Sequence, residues 1–297
     1  MNPLIVGILM LAIADSVHAA KHPAPDKTVT YKTVADNEGK DTELKLQIFT
    51  PPDFKPSDQR PAIVFFFGGG WIGGAPGQFY PHCEYFASRG MVAISAEYRV
   101  KNVHGTSPRE CVKDGKSAVR WIRQHAHELG IDPNRLAAGG GSAGGHVAAA
   151  TGTTQGLNEE GEDQGISCRP NALLLFNPVL DNGPEGYGHD RVKEYWQEFS
   201  PLHNIDENTP PTVIFLGTKD KLIPVSTVEK YKKLMADKGC RCDLHLYQDQ
   251  EHGFFNFKNT KYFTETVVEA DRFLASLGYL TGEPTLPKEP EDADDGK

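Results

Sequence analysis

Cysteine is scarce in this chain of 297 residues: five thiols, at Cys83, Cys111, Cys168, Cys240 and Cys242, with no Cys-x-x-Cys pair among them. That spacing excludes a zinc ribbon, and Cys240-x-Cys242 has no histidine partners at zinc-ligand spacing. Long hydrophobic runs are scarcer still. The longest, Leu4–Ala14, has eleven residues, whereas a helix needs about 20 to cross a hydrocarbon core. Stable membrane insertion is therefore not expected. Basic residues are outnumbered, 31 Lys and Arg against 40 Asp and Glu, for a formal net charge of −9. Without a basic face, nucleic acid is not expected as a partner. The acid excess is also uneven, because residues 281–297 hold six acids against two lysines and residues 1–20 add only Asp15. The stretch between is mildly acidic, and its charge names no partner.

What is present suffices for a large core: 38% of residues are apolar, which excludes wholesale disorder. Residues 1–20 read as a secretory leader, with Leu4–Ala14 as its apolar centre and Val17-His18-Ala19 supplying small residues for cleavage. The expected location is accordingly secreted or periplasmic, although no Lys or Arg precedes the apolar run. Thr281–Lys297, rich in Pro, Glu and Asp, reads as a disordered acidic tail. Residues 21–280 remain as one domain. Cys83 and Cys111 open two expected helices flanking one strand, which makes them the candidate disulfide pair in an exported chain.

From residue 60 onward, short apolar runs alternate with helical periodicity. Ala62–Phe67, Val92–Ala96, Leu136–Gly139, Ala172–Phe176, Thr212–Leu216 and Leu244–Tyr247 read as buried parallel strands. Cys111–Leu129, Thr227–Lys238 and Lys261–Leu277 place apolar residues at three- and four-residue steps, as amphipathic helices do. Upstream, Thr28–Val34 and Glu43–Phe49 read as a hairpin across Asn37-Glu38-Gly39. A hairpin leading into β-α-β-α units predicts an α/β fold with a mostly parallel sheet and helices on both faces. One segment breaks the rhythm. Residues 177–208 run through Asp-Asn-Gly-Pro-Glu-Gly-Tyr-Gly and carry Asn182, Tyr187, Tyr195 and Trp196, the composition of a small lid or binding insertion.

The chemistry is concentrated in Gly140-Gly141-Ser142-Ala143-Gly144. A strand candidate precedes it and the Ala-rich stretch Ala143–Thr151 follows, which is the strand–turn–helix setting of a nucleophile elbow. A serine hydroxyl is nearly inert at neutral pH and needs a base and an orienting acid. His252 lies just past the last strand candidate and Asp220 just past Thr212–Leu216. The order Ser142, Asp220, His252 is that of α/β-hydrolases. Asp220 also has the makings of a turn residue, in which case Glu251 or Asp249 would orient the imidazole. His104, His125, His127 and His146 have weaker claims to the role of base. Oxyanion donors are available from Phe67-Gly68-Gly69-Gly70-Trp71. There the N–H groups of Gly69 and Gly70 can join that of Ala143. As a phosphate cradle the same loop fails, since it lacks a Gly-Lys-Ser/Thr ending and an acid at dinucleotide spacing.

These residues resemble the hormone-sensitive-lipase-like branch of the α/β-hydrolases, over roughly residues 60–278. Glu97-Tyr98-Arg99 and Leu129-Gly130-Ile131-Asp132-Pro133-Asn134-Arg135 strengthen the likeness. The resemblance implies an eight-stranded sheet, Ser142, Asp220 and His252 as a triad, and Gly69, Gly70 and Ala143 as oxyanion donors. Two departures stand out: Phe67 occupies the place of the usual His, and residues 21–60 read as strands rather than a helical cap. Both point toward secreted, minimally capped esterases that remove acetyl or feruloyl groups from plant polysaccharides. Trp71, Asn182, Tyr187 and Trp196 are then the candidate substrate contacts. The expected reaction is hydrolysis of a small-molecule or oligosaccharide ester through an acyl-enzyme, with no cofactor or metal implied. A prolyl-oligopeptidase-type peptidase would share the triad order, but such enzymes carry a gating domain for which this length leaves no room. An inactive binding homologue is the other alternative.

Overall fold

A computed structural model describes residues 23–35 and 38–286. The expected leader, the turn at Asn37 and residues 287–297 of the expected tail lie outside the described residues. Among the described residues, eight strands form one sheet: β1 Lys27–Ala35, β2 Asp41–Phe49, β3 Arg60–Phe66, β4 Val92–Ala96, β5 Ile131–Gly141, β6 Ala172–Phe176, β7 Thr212–Gly217 and β8 Cys242–Tyr247. Their order is β1-β2-β4-β3-β5-β6-β7-β8. β1 and β2 pair antiparallel, β2 meets β4 antiparallel, and every pairing from β4 onward is parallel. The helices are α1 Tyr80–Ser88, α2 Lys101–His104, α3 Pro108–Gln124, α4 Ala143–Thr153, α5 His189–Val192, α6 Trp196–Phe199, α7 Val225–Asp237 and α8 Thr260–Ser276.

Alternation along the strands sorts the core into two layers. Val64 and Phe66 of β3 face one cluster with residues of α3, α4 and α7, while Ile63 and Phe65 face the other with residues of α1 and α8. Side chains of successive strand residues point to opposite faces, so a parallel sheet covered on both sides needs apolar residues throughout. The chain leaves β3 toward β4 on one side and returns to β5 on the other. The crevice at the carboxyl ends of β3 and β5 is therefore a topological switch point, where ligands bind in open α/β sheets.

Two expectations need correction. Cys83 and Cys111 are both free thiols. Cys83 belongs to the cluster on the α1 side and Cys111 to the cluster on the α3 side, so the sheet itself separates them. Residues 177–208, expected as a small lid or binding insertion, are compact. They fold into α5, α6 and a 3-10 turn, Pro201–Asn204, and Val192, Phe199 and Leu202 are buried in the core over α4. The expected tail also starts later than residue 281. Arg89 donates to the carbonyls of Thr281 and Gly282 at 3.1 Å, and Leu286 packs against the α1–α8 cluster.

Candidate active site

The elbow is built by steric exclusion. A Cβ added to Gly140 would strike the backbone of Gly144 and Phe66, and one added to Gly144 the backbone of Phe66 and Phe67. Only glycine lets the start of α4 tuck against the end of β3. Ser142, between them, is held at φ 54° and ψ −119°, a conformation that non-glycine residues adopt at a cost of order 1–3 kcal/mol. Its N–H donates to the Phe176 carbonyl at 2.9 Å, and its own carbonyl accepts from His146 and Val179. The strained backbone is thus clamped on both sides, leaving the hydroxyl free to reach outward.

That hydroxyl lies 2.9 Å from Nε2 of His252. On the far side of the ring, Nδ1 is 2.7 Å from Oδ2 of Asp220. The Asp220 carboxylate is fully buried, and its second oxygen accepts from the N–H groups of Leu222 and Ile223 at 2.8 and 3.0 Å. Asp220 is therefore a turn residue and an orienting acid at once. The rival orienters point elsewhere: Asp249 pairs with Lys219 at 3.0 Å and Glu251 faces Lys221 at 3.8 Å. With Nδ1–H donated to Asp220, Nε2 is left as the acceptor for the serine proton. The arrangement can deprotonate Ser142 and hold the resulting imidazolium.

Beside it runs the glycine loop. Gly69 and Gly70 have φ of 130° and 64°, backbone that favours glycine. The Gly69 carbonyl accepts from the N–H groups of Ile72 and Gly73 at 3.0 and 3.2 Å, which fixes the peptide whose N–H belongs to Gly70. The next peptide is fixed by Arg191, whose Nη1 donates to the Gly70 carbonyl at 2.7 Å. Upstream, the Tyr98 hydroxyl donates to the Phe67 carbonyl at 2.5 Å. Ala143 opens α4, where the first N–H groups have no intrahelical acceptor. No hydrogen bond among the described residues uses the N–H of Gly69, Gly70 or Ala143.

The expected substrate contacts separate into two groups. Trp71 is 1% exposed, enclosed by His146, Tyr187, Phe199 and the Arg191 guanidinium. Asn182 is fully buried and donates to the Tyr187 carbonyl. Both support loops rather than meet solvent, because the insertion packs down on them. Trp196 stands over His189 and His203, within the insertion itself. Tyr187 alone approaches the glycine loop, its hydroxyl 3.4 Å from where a Gly70 Cβ would sit. His146, pushed down to about 3 by burial, is a neutral core residue.

Sequence reading missed Asn177. It is fully buried at φ 35° just past β6. Its Oδ1 accepts from the N–H of Gly253 at 2.9 Å, and its Nδ2 lies 3.4 Å from Nε2 of His252. Its one visible signal was its place at the end of a strand, immediately before the insertion.

The BD-FAE family matches residues 46–181 and the dienelactone hydrolase family residues 186–276. Esterase LipC of Mycobacterium tuberculosis is 28% identical over 213 residues, covering 65% of this chain and 52% of that protein. An acetylxylan esterase of Xylanibacter ruminicola is 25% identical over 289 residues, covering 92% of this chain and 54% of that one. The chain thus spans about half the length of the curated relatives it matches. Among solved structures, the propionate-bound esterase Est2 of Thermogutta terrifontis superposes with a TM-score of 0.81 at 45% identity, covering 86% of this chain and 96% of that one.

Proposed function

This chain belongs to the hormone-sensitive-lipase-like esterase branch of the α/β-hydrolases, and from that premise we propose that it is a serine carboxylesterase. The observation that carries the reading is the unbroken hydrogen-bond chain from Ser142 through His252 to buried Asp220. Ser142 Oγ attacks the ester carbonyl while Nε2 of His252 takes its proton. The charge developing on the carbonyl oxygen meets the N–H groups of Gly69, Gly70 and Ala143, each such donor being worth about 3–4 kcal/mol in the transition state. His252 returns the proton to the departing alkoxide, and water then attacks the acyl-Ser142 with the same imidazole as base.

The finer reading is a small acyl group, acetyl before feruloyl, carried on a carbohydrate alcohol. It is supported by the likeness to an acetylxylan esterase and to the BD-FAE family. Structural neighbours bound to propionate and butyrate favour the short acyl chain. Export rests on the leader-like pattern of residues 1–20. The test compares p-nitrophenyl acetate with acetate and ferulate release from xylan-type oligosaccharides, for the parent chain and Ser142→Ala. Hydrolysis of the aryl acetate lost in Ser142→Ala, with more acetate than ferulate released, is the expected outcome. Turnover undiminished in Ser142→Ala contradicts the mechanism, and ferulate preferred over acetate contradicts the acyl assignment.

A further inference from the structure

Ester hydrolysis by this site requires two loops to be correct at once: the glycine loop that would receive the oxyanion and the His252 loop that would carry the proton. These loops follow β3 and β8, which are separated in the sheet by β5, β6 and β7. No strand pairing holds one against the other.

Side chains make the connection instead. Oε1 of Gln78 accepts from the N–H of Gly68 at 2.6 Å. Nε2 of the same side chain donates to Oδ1 of Asn256 at 2.9 Å, across 178 residues of sequence. Nδ2 of Asn256 then donates to the Gly253 carbonyl at 2.7 Å, and its backbone N–H reaches the same oxygen at 3.2 Å. On its other flank the Gly253 N–H is held by Asn177 Oδ1. The peptide leaving His252 is thereby gripped on one side and the following one on the other. Beneath these contacts the sequence neighbours Phe79 and Phe255 stack at 5.9 Å, within the α1–α8 cluster. Each carboxamide uses an acceptor and a donor in opposite directions, a polarity that a lone hydroxyl or carboxylate cannot supply in the same two-ended way. None of the three titrates, so the connection persists across the pH range in which an imidazole changes charge.

We infer that Gln78 and Asn256, with Asn177 at the far end, form a positioning strap that fixes the oxyanion loop relative to the His252 loop. The inference rests on the esterase reading for its effect on rate, but the coupling itself is a property of the fold. Gln78 and Asn256 are half-buried, so their substitution tests the strap with the core left in place. Two measurements apply to the parent chain, Gln78→Met, Asn256→Ala and the double variant. Amide hydrogen exchange reads the coupling without turnover. Asn256→Ala is expected to speed exchange in residues 66–74, which Asn256 does not touch, and Gln78→Met to speed it in residues 250–257. Exchange unchanged in the distant loop of both variants overturns the strap. Steady-state hydrolysis of p-nitrophenyl acetate reads the consequence. Each single variant is expected to lower kcat about tenfold with KM within about twofold, since misplaced groups cost rate more than binding. The double is expected to fall little further, because either cut severs the same connection. Singles with unchanged kcat, or a double whose loss is the product of the two, also overturn it. A parent chain without turnover contradicts the esterase reading instead, while the exchange result still decides the strap.

Discussion

Two buried histidines give the residue scale a measurable signature. His82 is fully buried among Phe65, Phe79, Phe176, Phe255 and Phe263, and among the described residues neither of its ring nitrogens has a hydrogen-bond partner. Burial pushes both His82 and His146 down to about 3. Between pH 6.5 and 3 the unfolded chain binds protons that the folded chain refuses, so stability falls as pH drops through this window. The slope is about 1.4 kcal/mol per pH unit for each histidine. His82→Phe is expected to remove one of the two contributions and to raise the melting temperature at pH 5 more than at pH 7.5. An equal shift at both pH values contradicts it. The residues of the proposed chemistry differ in how far the sequence disclosed them. Ser142 sits inside a local motif, and Asp220 and His252 each follow a recognisable strand, so the three could be named as candidates from the sequence. Asn177, Gln78 and Asn256 could not. Their partners are far away in sequence, and a carboxamide at a strand end or in a turn is an ordinary residue until folding supplies its neighbour.

At the scale of elements, Glu97-Tyr98-Arg99 turns out to be a joint. Tyr98 holds the glycine loop through the Phe67 carbonyl. Arg99 makes three contacts with Asp114 of α3, through its backbone N–H, Nε and Nη2 at 2.7–2.9 Å. Lys32 of β1 reaches the same carboxylate at 2.7 Å, and Glu159, in the loop after α4, accepts from both cations. Asp114 is fully buried. Asp114→Asn would leave Arg99 and Lys32 sharing one partly exposed acid, and breaking a buried ion cluster from one side costs about 3–5 kcal/mol. Urea unfolding is expected to show a loss of that size with an unchanged m-value, and a loss below about 1 kcal/mol contradicts the joint. Periodicity located α7 and α8 to within two residues, because a helix covering a sheet must show one apolar stripe. It started α3 three residues late and ran it five residues too far: the helix spans Pro108–Gln124, after a capping box between Ser107 and Glu110. The helices inside the insertion left no such trace. α5 and α6 are four residues each, too short for any period to register, and their order comes from burying Val192 and Phe199.

The whole molecule is a sheet whose carboxyl edge gathers groups from five places in the chain: the loops after β3, β5, β6, β7 and β8, the long one after β6 supplying both Asn177 and Arg191. That convergence is legible in outline from the α/β alternation, since parallel strands all deliver their following loops to one edge. What the alternation does not disclose is how the loops hold one another, which depends on Arg191 reaching Gly70 and on the carboxamides between Gly68 and Gly253. The net charge of −9 discloses none of this, because the proposed chemistry gathers a few groups at one edge of the sheet. The central claim is that Ser142 is the activated nucleophile. The neighbouring Thermogutta terrifontis esterase 2 is phosphorylated by paraoxon, and the same class of reagent reads the claim directly here. Intact mass and peptide mapping after brief exposure to a fluorophosphonate are expected to show one adduct, on Ser142, and none on Ser142→Ala. An unlabelled parent chain, or an adduct equally present in Ser142→Ala, would contradict the account.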